Sequence, residues 1–244
     1  MSYANGELSK WTTLTNGNGQ NGTHKTEEIG KSGLSKIENP TDNPFELFQE
    51  WLSEARQANL VLPHALVLST ATTDGKVSSR TLLLRRLEED GFVIMTDNRS
   101  RKHTQITENK SAAMVFLWLY RTKDGDKCLN RQVRIEGELE VLDPERFQDL
   151  YEREPTYCKI RAHLCHQSTT TDWEQAKAAH DEMYEQYKRN EIDLPMPDHF
   201  IAYKLHPTMM EFYHAESDQI GDRIHYSKTG NKADNIWKRK RLFA

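Results

Sequence analysis

The sequence predicts a β-rich α+β fold in which an antiparallel barrel carries helices at its periphery. Strand-like runs follow one another with only short helical segments between them, and turn residues such as Thr73-Asp74-Gly75 separate them. A doubly wound sheet would instead alternate strands with long helices. No internal repeat is visible, so we expect a single domain at residues 41–244.

Residues 1–40 differ in composition from the rest of the chain, being rich in Gly, Asn, Ser and Thr and poor in apolar side chains. Such a segment buries too little surface to offset the entropy that it loses on ordering. We therefore predict a disordered N-terminal arm. A short piece near Ile29–Leu34 is the candidate to order against the body of the protein.

The folded part is expected to begin with a helix at Asn43-Pro44, an N-cap followed by proline at the first helical position. This helix ends near Leu60, and its apolar face holds Phe45, Phe48, Trp51, Leu52 and Ala55. The predicted strands are 65–71, 77–84, 92–96, 112–119, 130–141, 200–206, 208–215 and 223–227, and residues 236–242 close the chain. The other predicted helices are 100–109, 143–152, 157–164 and 171–190, the last with a capping box of Thr171 and Glu174.

One stretch, Ser79–Lys102, has the composition of a phosphate-binding site. Its pattern predicts a β-hairpin that runs into a helix start, with Arg80 near one end and Ser100, Arg101 and Lys102 at the other. A hydroxyl, cations and the free backbone N–H groups of a helix start are the donors that a phosphate needs. Each residue alone also has a plainer interpretation, a solvated strand-end arginine or a serine that only caps the helix.

Charge and apolar patterning exclude several other classes of function. The net charge of −4 argues against a general nucleic-acid-binding protein, and no apolar run approaches the length of a membrane span. The chain lacks the apolar core of a secretory signal, and its three cysteines include no C-x-x-C pair, so we expect reduced thiols in the cytoplasm. The spacing of Cys158, His163, Cys165 and His166 matches no tetrahedral zinc pattern, so we expect no metal site.

In their order along the chain, the motifs resemble the pyridoxamine 5′-phosphate oxidase family. The resemblance covers about residues 40–244 and depends on eight segments taken together. These are NPFELFQEWL (43–52), SRTLLLRR (79–86), SRK (100–102), NRQVRIEG (130–137), HQST (166–169), MEFYHA (210–215), GDR (221–223) and WKRKRL (237–242).

The resemblance implies an FMN-binding split β-barrel that works as a homodimer, with FMN at the subunit interface. It also implies an oxidase that converts pyridoxine or pyridoxamine 5′-phosphate to pyridoxal 5′-phosphate and passes the electrons to oxygen. The phosphate expected at Ser79–Lys102 would then belong to FMN.

Carried over position by position, the resemblance assigns residues to the FMN site. The residues that would meet the flavin and its phosphate are Arg80, Thr81, Leu82, Leu83, Met95, Thr96, Ser100, Arg101, Lys102 and Gln132. A polar pair from the partner subunit would be Gln167 and Ser168. Arg223 would lie near N1 and C2 of the flavin, where a cation stabilises the anionic reduced ring, and Tyr213 stands where the family usually has tryptophan.

The substrate side departs from the family's pattern. The lysine that holds the substrate phosphate is replaced by Arg85, which keeps the charge but changes the geometry. The family's tyrosine, arginine and serine fall on Leu150, Glu154 and Cys158, unless a register shift substitutes Tyr151, Arg153 or Tyr157. The arginine and histidine of its R-x-H-D-R motif become Gln219 and Gly221, and two ligands from its N-terminal arm fall on about Thr26 and Ile29.

Two functions remain open on this evidence. The first is an FMN-dependent oxidase that acts on a phosphorylated B6 vitamer. The second is an FMN-binding paralogue with an altered substrate or no catalysis, because the substrate-phosphate ligands are replaced. A weaker third interpretation is a flavin reductase that uses a nicotinamide donor.

Overall fold

The computed structural model describes residues 32–122, 125, 127–229 and 235–244. Most of the predicted disordered arm, residues 1–40, therefore lies outside the described residues and stays a prediction there. The last part of the arm, residues 32–40, is described. It runs along the body of the protein.

Residues 32–40 are attached to the sheet by backbone hydrogen bonds. The Ser35 N–H donates to the Ile220 carbonyl at 2.8 Å, and the Ile37 N–H donates to the Asp222 carboxylate at 2.7 Å. The Ile37 side chain is buried in the main core. This segment therefore belongs to the packed part of the molecule.

The first helix, α1 (Pro44–Gln57), begins where the sequence predicted. The Asn43 side chain accepts a hydrogen bond from the Phe45 N–H at 3.0 Å, and Pro44 occupies the first turn. All five apolar residues of the predicted face are buried. α1 therefore packs this face against the core of the sheet.

Nine strands in the described part of the chain form one antiparallel sheet. They are β1 (Ala65–Ala71), β2 (Val77–Leu83), β3 (Arg86–Glu88), β4 (Gly91–Asp97), β5 (Ser111–Arg121), β6 (Cys128–Val141), β7 (Phe200–Glu216), β8 (Asp222–Thr229) and β9 (Ile236–Phe243). The order is β2-β1-β5-β6-β7-β4-β3, while β8 pairs with β7 and β9 pairs with β8. The Arg85 N–H donates to the Val93 carbonyl at 2.8 Å, so the chain leaving β2 meets β4 and the sheet curls into an open barrel.

The predicted break between strands at Pro207 was wrong, since β7 is continuous. Pro207 has no N–H to give to the ladder, but it lies opposite Gly137, where the register between β6 and β7 shifts. The bulge accommodates the proline without ending the strand. β7 can therefore pair with β4 along its first half and with β8 along its second half.

Replacing Gly137 by alanine is expected to lower the free energy of unfolding by about 1–3 kcal/mol, the usual cost of overpacking. An added Cβ would clash with the His206 carbonyl and lie 2.9 Å from Pro207 Cα, and backbone cannot move aside as a side chain can. Chemical denaturation measures the change. The control is Gly75→Asn, because Gly75 has a φ of 84° that asparagine tolerates and no atom within 4 Å of an added Cβ.

The hairpin in Ser79–Lys102 is shorter than predicted. β2 pairs with β1, because the turn after Ala71 aligns all seven residues of the two strands. The return strand β4 pairs instead with the short strand β3. Arg80, on β2, therefore does not pair in register with the strand that carries Met95 and Thr96.

Four further α-helices in the described residues lie at the periphery of the barrel. They are α2 (Arg101–Glu108), α3 (Gln148–Glu152), α4 (Thr156–Leu164) and α5 (Trp173–Lys188). A 3₁₀ turn at Pro144–Arg146 precedes α3 and divides the predicted helix at 143–152. The predicted β-rich α+β architecture with peripheral helices is confirmed.

The predicted capping of α5 was wrong. Asp172, rather than Thr171, caps the helix by accepting a hydrogen bond from the Gln175 N–H at 3.0 Å. No residue of α5 is buried, and Trp173 is 67% exposed. The helical spacing of its apolar residues predicted the helix correctly but does not reflect burial within this chain. None of the described helices has both the length and the apolar character of a membrane span.

Candidate functional site

Lys102, in the first turn of α2, is a buried cation held by neutral acceptors. It is 4% exposed, and its ammonium donates to Thr96 Oγ1 at 2.9 Å and to Gln167 Oε1 at 2.7 Å. No carboxylate of the described residues forms an ion pair with it, and the nearby Asp97 is bound by Arg99 at 2.6 Å. Burying an unpaired charge is costly, so the surroundings of Lys102 suit an anion.

A second cation, Arg80, adds positive potential at the same place. Its guanidinium donates to neutral acceptors, among them Thr70 Oγ1 at 2.7 Å and the Ser78 carbonyl at 3.0 Å. Burial and then the charge of Arg80 lower the pKa of Lys102 to about 8. Burial and then the charge of Arg101 lower the pKa of Arg80. The positive charges of Arg80, Arg101 and Lys102 therefore lie close enough together to suit a phosphate group.

Ser100 lies at the predicted position but uses its hydroxyl differently from a helix-capping serine. Its Oγ donates to the Asp97 carbonyl at 2.7 Å, and it accepts no hydrogen bond from the first turn of α2. Ser100 therefore occupies the N-cap position, as the plainer interpretation has it, but without the side-chain bond of a capping serine. The exposed Arg101 follows it and stands close enough to influence Arg80.

Gln167 reaches Lys102 within its own chain, whereas the resemblance implied that it contacts the flavin from the partner subunit. The segment after α4 folds back over the start of α2, and Arg99 Nη2 donates to the Cys165 carbonyl at 3.1 Å. Ser168 is exposed beside Gln167, with a left-handed φ of 70°. One protomer therefore supplies Thr96, Lys102 and Gln167 as a single cluster.

A cavity of about 360 Å³ opens beside this cluster. Its apolar lining includes Leu82, Met95 and Phe200, and Lys102 and Gln167 supply polar atoms. Thr81 and Leu83 do not line it, because alternate residues of a strand face opposite sides. The predicted strand run therefore contributes Leu82 to the wall.

Gln132, Tyr213 and Arg223 form a separate row across β6, β7 and β8. Tyr213 pairs in register with Gln132 on one side and with Arg223 on the other. The Arg223 guanidinium lies 5.4 Å from the Tyr213 ring centroid and pairs with Glu211 at 2.5 Å, while its Nε is buried without a partner. No hydrogen bond or ion pair among the described residues joins this row to Lys102. A buried orphan donor fits an acceptor on a flavin edge.

Gly221 and Gln219, expected on the substrate side, flank this row. A Cβ added at Gly221 would lie 2.6 Å from the Tyr213 hydroxyl, so the tyrosine ring occupies the space of a side chain at position 221. Gln219 Oε1 accepts a hydrogen bond from Ser35 Oγ at 3.1 Å, which ties its side chain to the N-terminal segment. Neither residue presents a cation to a substrate.

Arg85 lines the cavity, but a carboxylate of the same chain already neutralises it. Arg85 forms an ion pair with Glu154, whose side chain is 6% exposed. Cys158 is buried beside Glu154, and burial, the largest cause, raises the pKa of its thiol. Leu150 packs against the small core cluster that contains Phe147. The positions that hold the substrate phosphate in the family therefore carry an internal ion pair here.

The register-shift substitutes do not reach the cavity. The Tyr151 hydroxyl donates to the Pro195 carbonyl at 2.9 Å, Arg153 pairs with Asp149 at 3.2 Å, and Tyr157 is 67% exposed. The two arm positions, about Thr26 and Ile29, lie outside the described residues. Among the described residues, no group of three or more His, Cys, Asp or Glu side chains is placed to hold a metal ion.

Arg161 is a cavity residue that sequence reasoning missed. It lies on α4 and lines the cavity with Arg85 and Lys102. Its signal in the sequence was present but weak, because one arginine among helical residues usually faces solvent. Only the position of α4 at the cavity wall distinguishes Arg161 from an ordinary surface arginine.

The chain is similar to known proteins over most of its length. Residues 52–170 match the family model described as pyridoxamine 5′-phosphate oxidase, and residues 200–244 match that of the pyridoxine 5′-phosphate oxidase C-terminal dimerisation region. The pyridoxine/pyridoxamine 5′-phosphate oxidase of Salinibacter ruber is 35% identical over 88% of this chain and 95% of its own length. The enzyme of the same name from Nostoc punctiforme is 34% identical over 86% and 92%.

Two solved structures are also similar to this chain. PhzG from Burkholderia lata, in complex with tetrahydrophenazine-1-carboxylic acid, matches with a TM-score of 0.70 and 29% identity, covering 84% of this chain and 95% of that one. A pyridoxamine 5′-phosphate oxidase-related, FMN-binding protein from Nostoc punctiforme matches with a TM-score of 0.60 and 17% identity, over 82% and 96%. The second likeness shows the shared fold. Motifs, fold and full-length relatives therefore agree that the chain belongs to the pyridoxamine 5′-phosphate oxidase family, and the split barrel and the FMN cofactor expected from the resemblance are confirmed by this membership.

Proposed function

We propose that the protein is a homodimeric FMN-dependent oxidase that forms pyridoxal 5′-phosphate from pyridoxine or pyridoxamine 5′-phosphate. The observation that carries the flavin part is the buried Lys102, which has two neutral acceptors and no acidic partner among the described residues. An FMN phosphate would complete that cluster. The B6 part rests on the full-length relatives at 34–35% identity.

When bound, FMN would accept a hydride, which carries the two electrons of the oxidation. The chain's own residues would bind the FMN and orient it. Lys102 and Gln167 would hold the phosphate end, Leu82 and Met95 would form an apolar wall, and the orphan Nε of Arg223 would be available as a donor to the flavin. Because the Arg223 row and the Lys102 cluster are separate within one chain, we place them against one flavin from two protomers.

The dimer is tested directly by sedimentation. Residues 200–244 match a dimerisation region, so the protein is expected to sediment at twice the mass of one chain. A monomer that still binds FMN would contradict the shared site. We place the enzyme in the cytoplasm, where the three free cysteines would stay reduced.

The B6 substrate is tested by adding pyridoxamine 5′-phosphate to the FMN-loaded protein without oxygen. Bleaching of the flavin absorption, followed by recovery and pyridoxal 5′-phosphate formation when oxygen is admitted, is the expected result. A yellow protein that millimolar substrate does not bleach would contradict the B6 assignment. Bleaching by NADH or NADPH alone would favour a flavin reductase.

The Arg85–Glu154 ion pair favours a second candidate, an FMN-dependent enzyme of the same family with an altered substrate. A buried carboxylate beside the expected phosphate residue repels a dianion. PhzG, a solved relative, holds a heteroaromatic carboxylic acid. Dihydro-heteroaromatic carboxylic acids are therefore the compounds to test for bleaching if the B6 phosphates fail.

The affinity for FMN is expected to fall by up to about tenfold per pH unit above pH 8, because free Lys102 loses its proton there. The phosphate stays a dianion over this range, so the lysine is the group that titrates. The stability of the FMN-free protein depends on pH in the opposite direction. Between about 8 and 10.5 the unfolded state binds more protons, so the free energy of unfolding rises with pH. Titrations of flavin fluorescence from pH 7 to 9.5 measure the first effect, and Lys102→Met should abolish it.

A further inference from the structure

Arg161 is a cation of the cavity that has no acidic partner in the described structure. Its Nη2 donates to Cys158 Sγ at 3.8 Å, and no carboxylate of the described residues forms an ion pair with it. A thiol is a weak acceptor, so it leaves the guanidinium charge uncompensated. Arg161 is exposed and can therefore receive a ligand without rearrangement of the core.

Arg85, by contrast, has an acidic partner. The Glu154 carboxylate that pairs with it is 6% exposed, so it is held in place by burial. An anion bound at Arg85 would lie beside the Glu154 carboxylate. Two neighbouring negative charges repel each other strongly in a partly buried site. Arg85 is therefore unsuited to bind an anionic substrate alone.

These residues are connected through one side chain. Cys158 lies close enough to Glu154 for the carboxylate to help raise the pKa of its thiol, after burial, and its Sγ accepts from Arg161 at 3.8 Å, so Arg85, Glu154, Cys158 and Arg161 lie in one neighbourhood. The cluster has two positive charges and one negative charge. Its single uncompensated charge lies at Arg161.

We propose that Arg161, in place of Arg85, holds the anionic end of the substrate, a phosphate monoester or a carboxylate. The fork of a guanidinium binds either group through two parallel hydrogen bonds. The inference rests on the proposed function, since the cavity is the substrate's only if FMN lies beside it. Glu154 then acts as the residue that removes Arg85 from anion binding.

The test uses the FMN-loaded protein and two anion probes, inorganic phosphate and acetate, titrated at constant ionic strength against chloride. The flavin difference spectrum and the thermal midpoint report binding. Arg161→Gln is expected to weaken binding of the probe by about tenfold to a hundredfold, the worth of a charge-assisted hydrogen bond. Glu154→Gln is expected to strengthen phosphate binding, because it frees Arg85.

The matched control is Lys159→Gln on the same helix. The Lys159 ammonium donates to the Glu152 carbonyl at 2.8 Å and does not line the cavity. Removing this charge should change the affinity by no more than about twofold. It separates a local role of Arg161 from a general loss of positive charge on α4.

The two probes also distinguish the sources of the anion. Binding of phosphate alone indicates a phosphorylated substrate, and binding of acetate as well indicates a carboxylate; both support the inference if Arg161→Gln removes them. Unchanged binding in Arg161→Gln, or loss of FMN from that variant alone, would overturn it. No binding of either probe to the FMN-loaded protein would also overturn it. Failure of the unmodified protein to take up FMN would instead overturn the proposed function on which the inference rests.

Discussion

Replacing Lys102 by methionine is expected to weaken FMN binding by about tenfold to a hundredfold, because it removes charge-assisted hydrogen bonds to the phosphate. Methionine keeps most of the length and the apolar stem of lysine. The lysine is buried with only neutral acceptors, so its removal should leave the FMN-free protein as stable as before or more stable. Fluorescence titration with FMN and thermal unfolding with and without FMN measure the two effects.

The opposite signs of these effects make the variant diagnostic. A lysine needed only for folding would lower the stability of the FMN-free protein and reduce FMN binding as a consequence. Lys177→Met on the exposed helix α5 is the control, since its ammonium pairs with Asp181 and its side chain is 51% exposed. If Lys102→Met binds FMN as tightly as this control does, the phosphate assignment fails.

The largest effect on stability is expected from Phe48→Ala, at about 3–5 kcal/mol of unfolding free energy. The Phe48 ring is fully buried and contacts Phe92 and Phe116 at centroid distances of 5.0 and 4.9 Å. Its loss leaves a cavity between α1 and the sheet. Urea denaturation followed by circular dichroism measures the change.

The control for Phe48→Ala is an exposed valine near the end of the same helix. Val61 is 94% exposed, and Val61→Ala should change the free energy of unfolding by less than about 0.5 kcal/mol. A loss of less than about 1 kcal/mol in Phe48→Ala would contradict the placement of α1 on the core.

Local chemistry in the sequence was sufficient to predict most elements of this fold, although not the short strand β3. Asn43-Pro44 located the start of α1, and the turn at Thr73-Asp74-Gly75 located the β1–β2 hairpin. The failures arose where a long-range pairing decides the outcome. Pro207 did not end a strand, because Gly137 on the opposite strand makes room for it.

In the candidate site, too, local patterns could be predicted from the sequence, whereas long-range contacts could not. Lys102 and Arg80 could be predicted, because cations and a serine at a helix start are a local pattern for phosphate. The origin of Gln167 in the same chain could not, since it depends on how the segment after α4 folds back. The pairing of Arg85 with Glu154 and the free charge of Arg161 were equally invisible, because 69 residues or more separate Arg85 from its neighbours on the α3–α4 segment.

The central claim is that the Lys102 cluster and the Arg223 row hold FMN, and the absorption spectrum of the purified protein tests it most directly. The protein is equilibrated with FMN, freed of excess cofactor by gel filtration and scanned. The account predicts a yellow protein that retains about one FMN per chain, since FMN is the cofactor of its family. A colourless protein that retains no flavin after this treatment would contradict it.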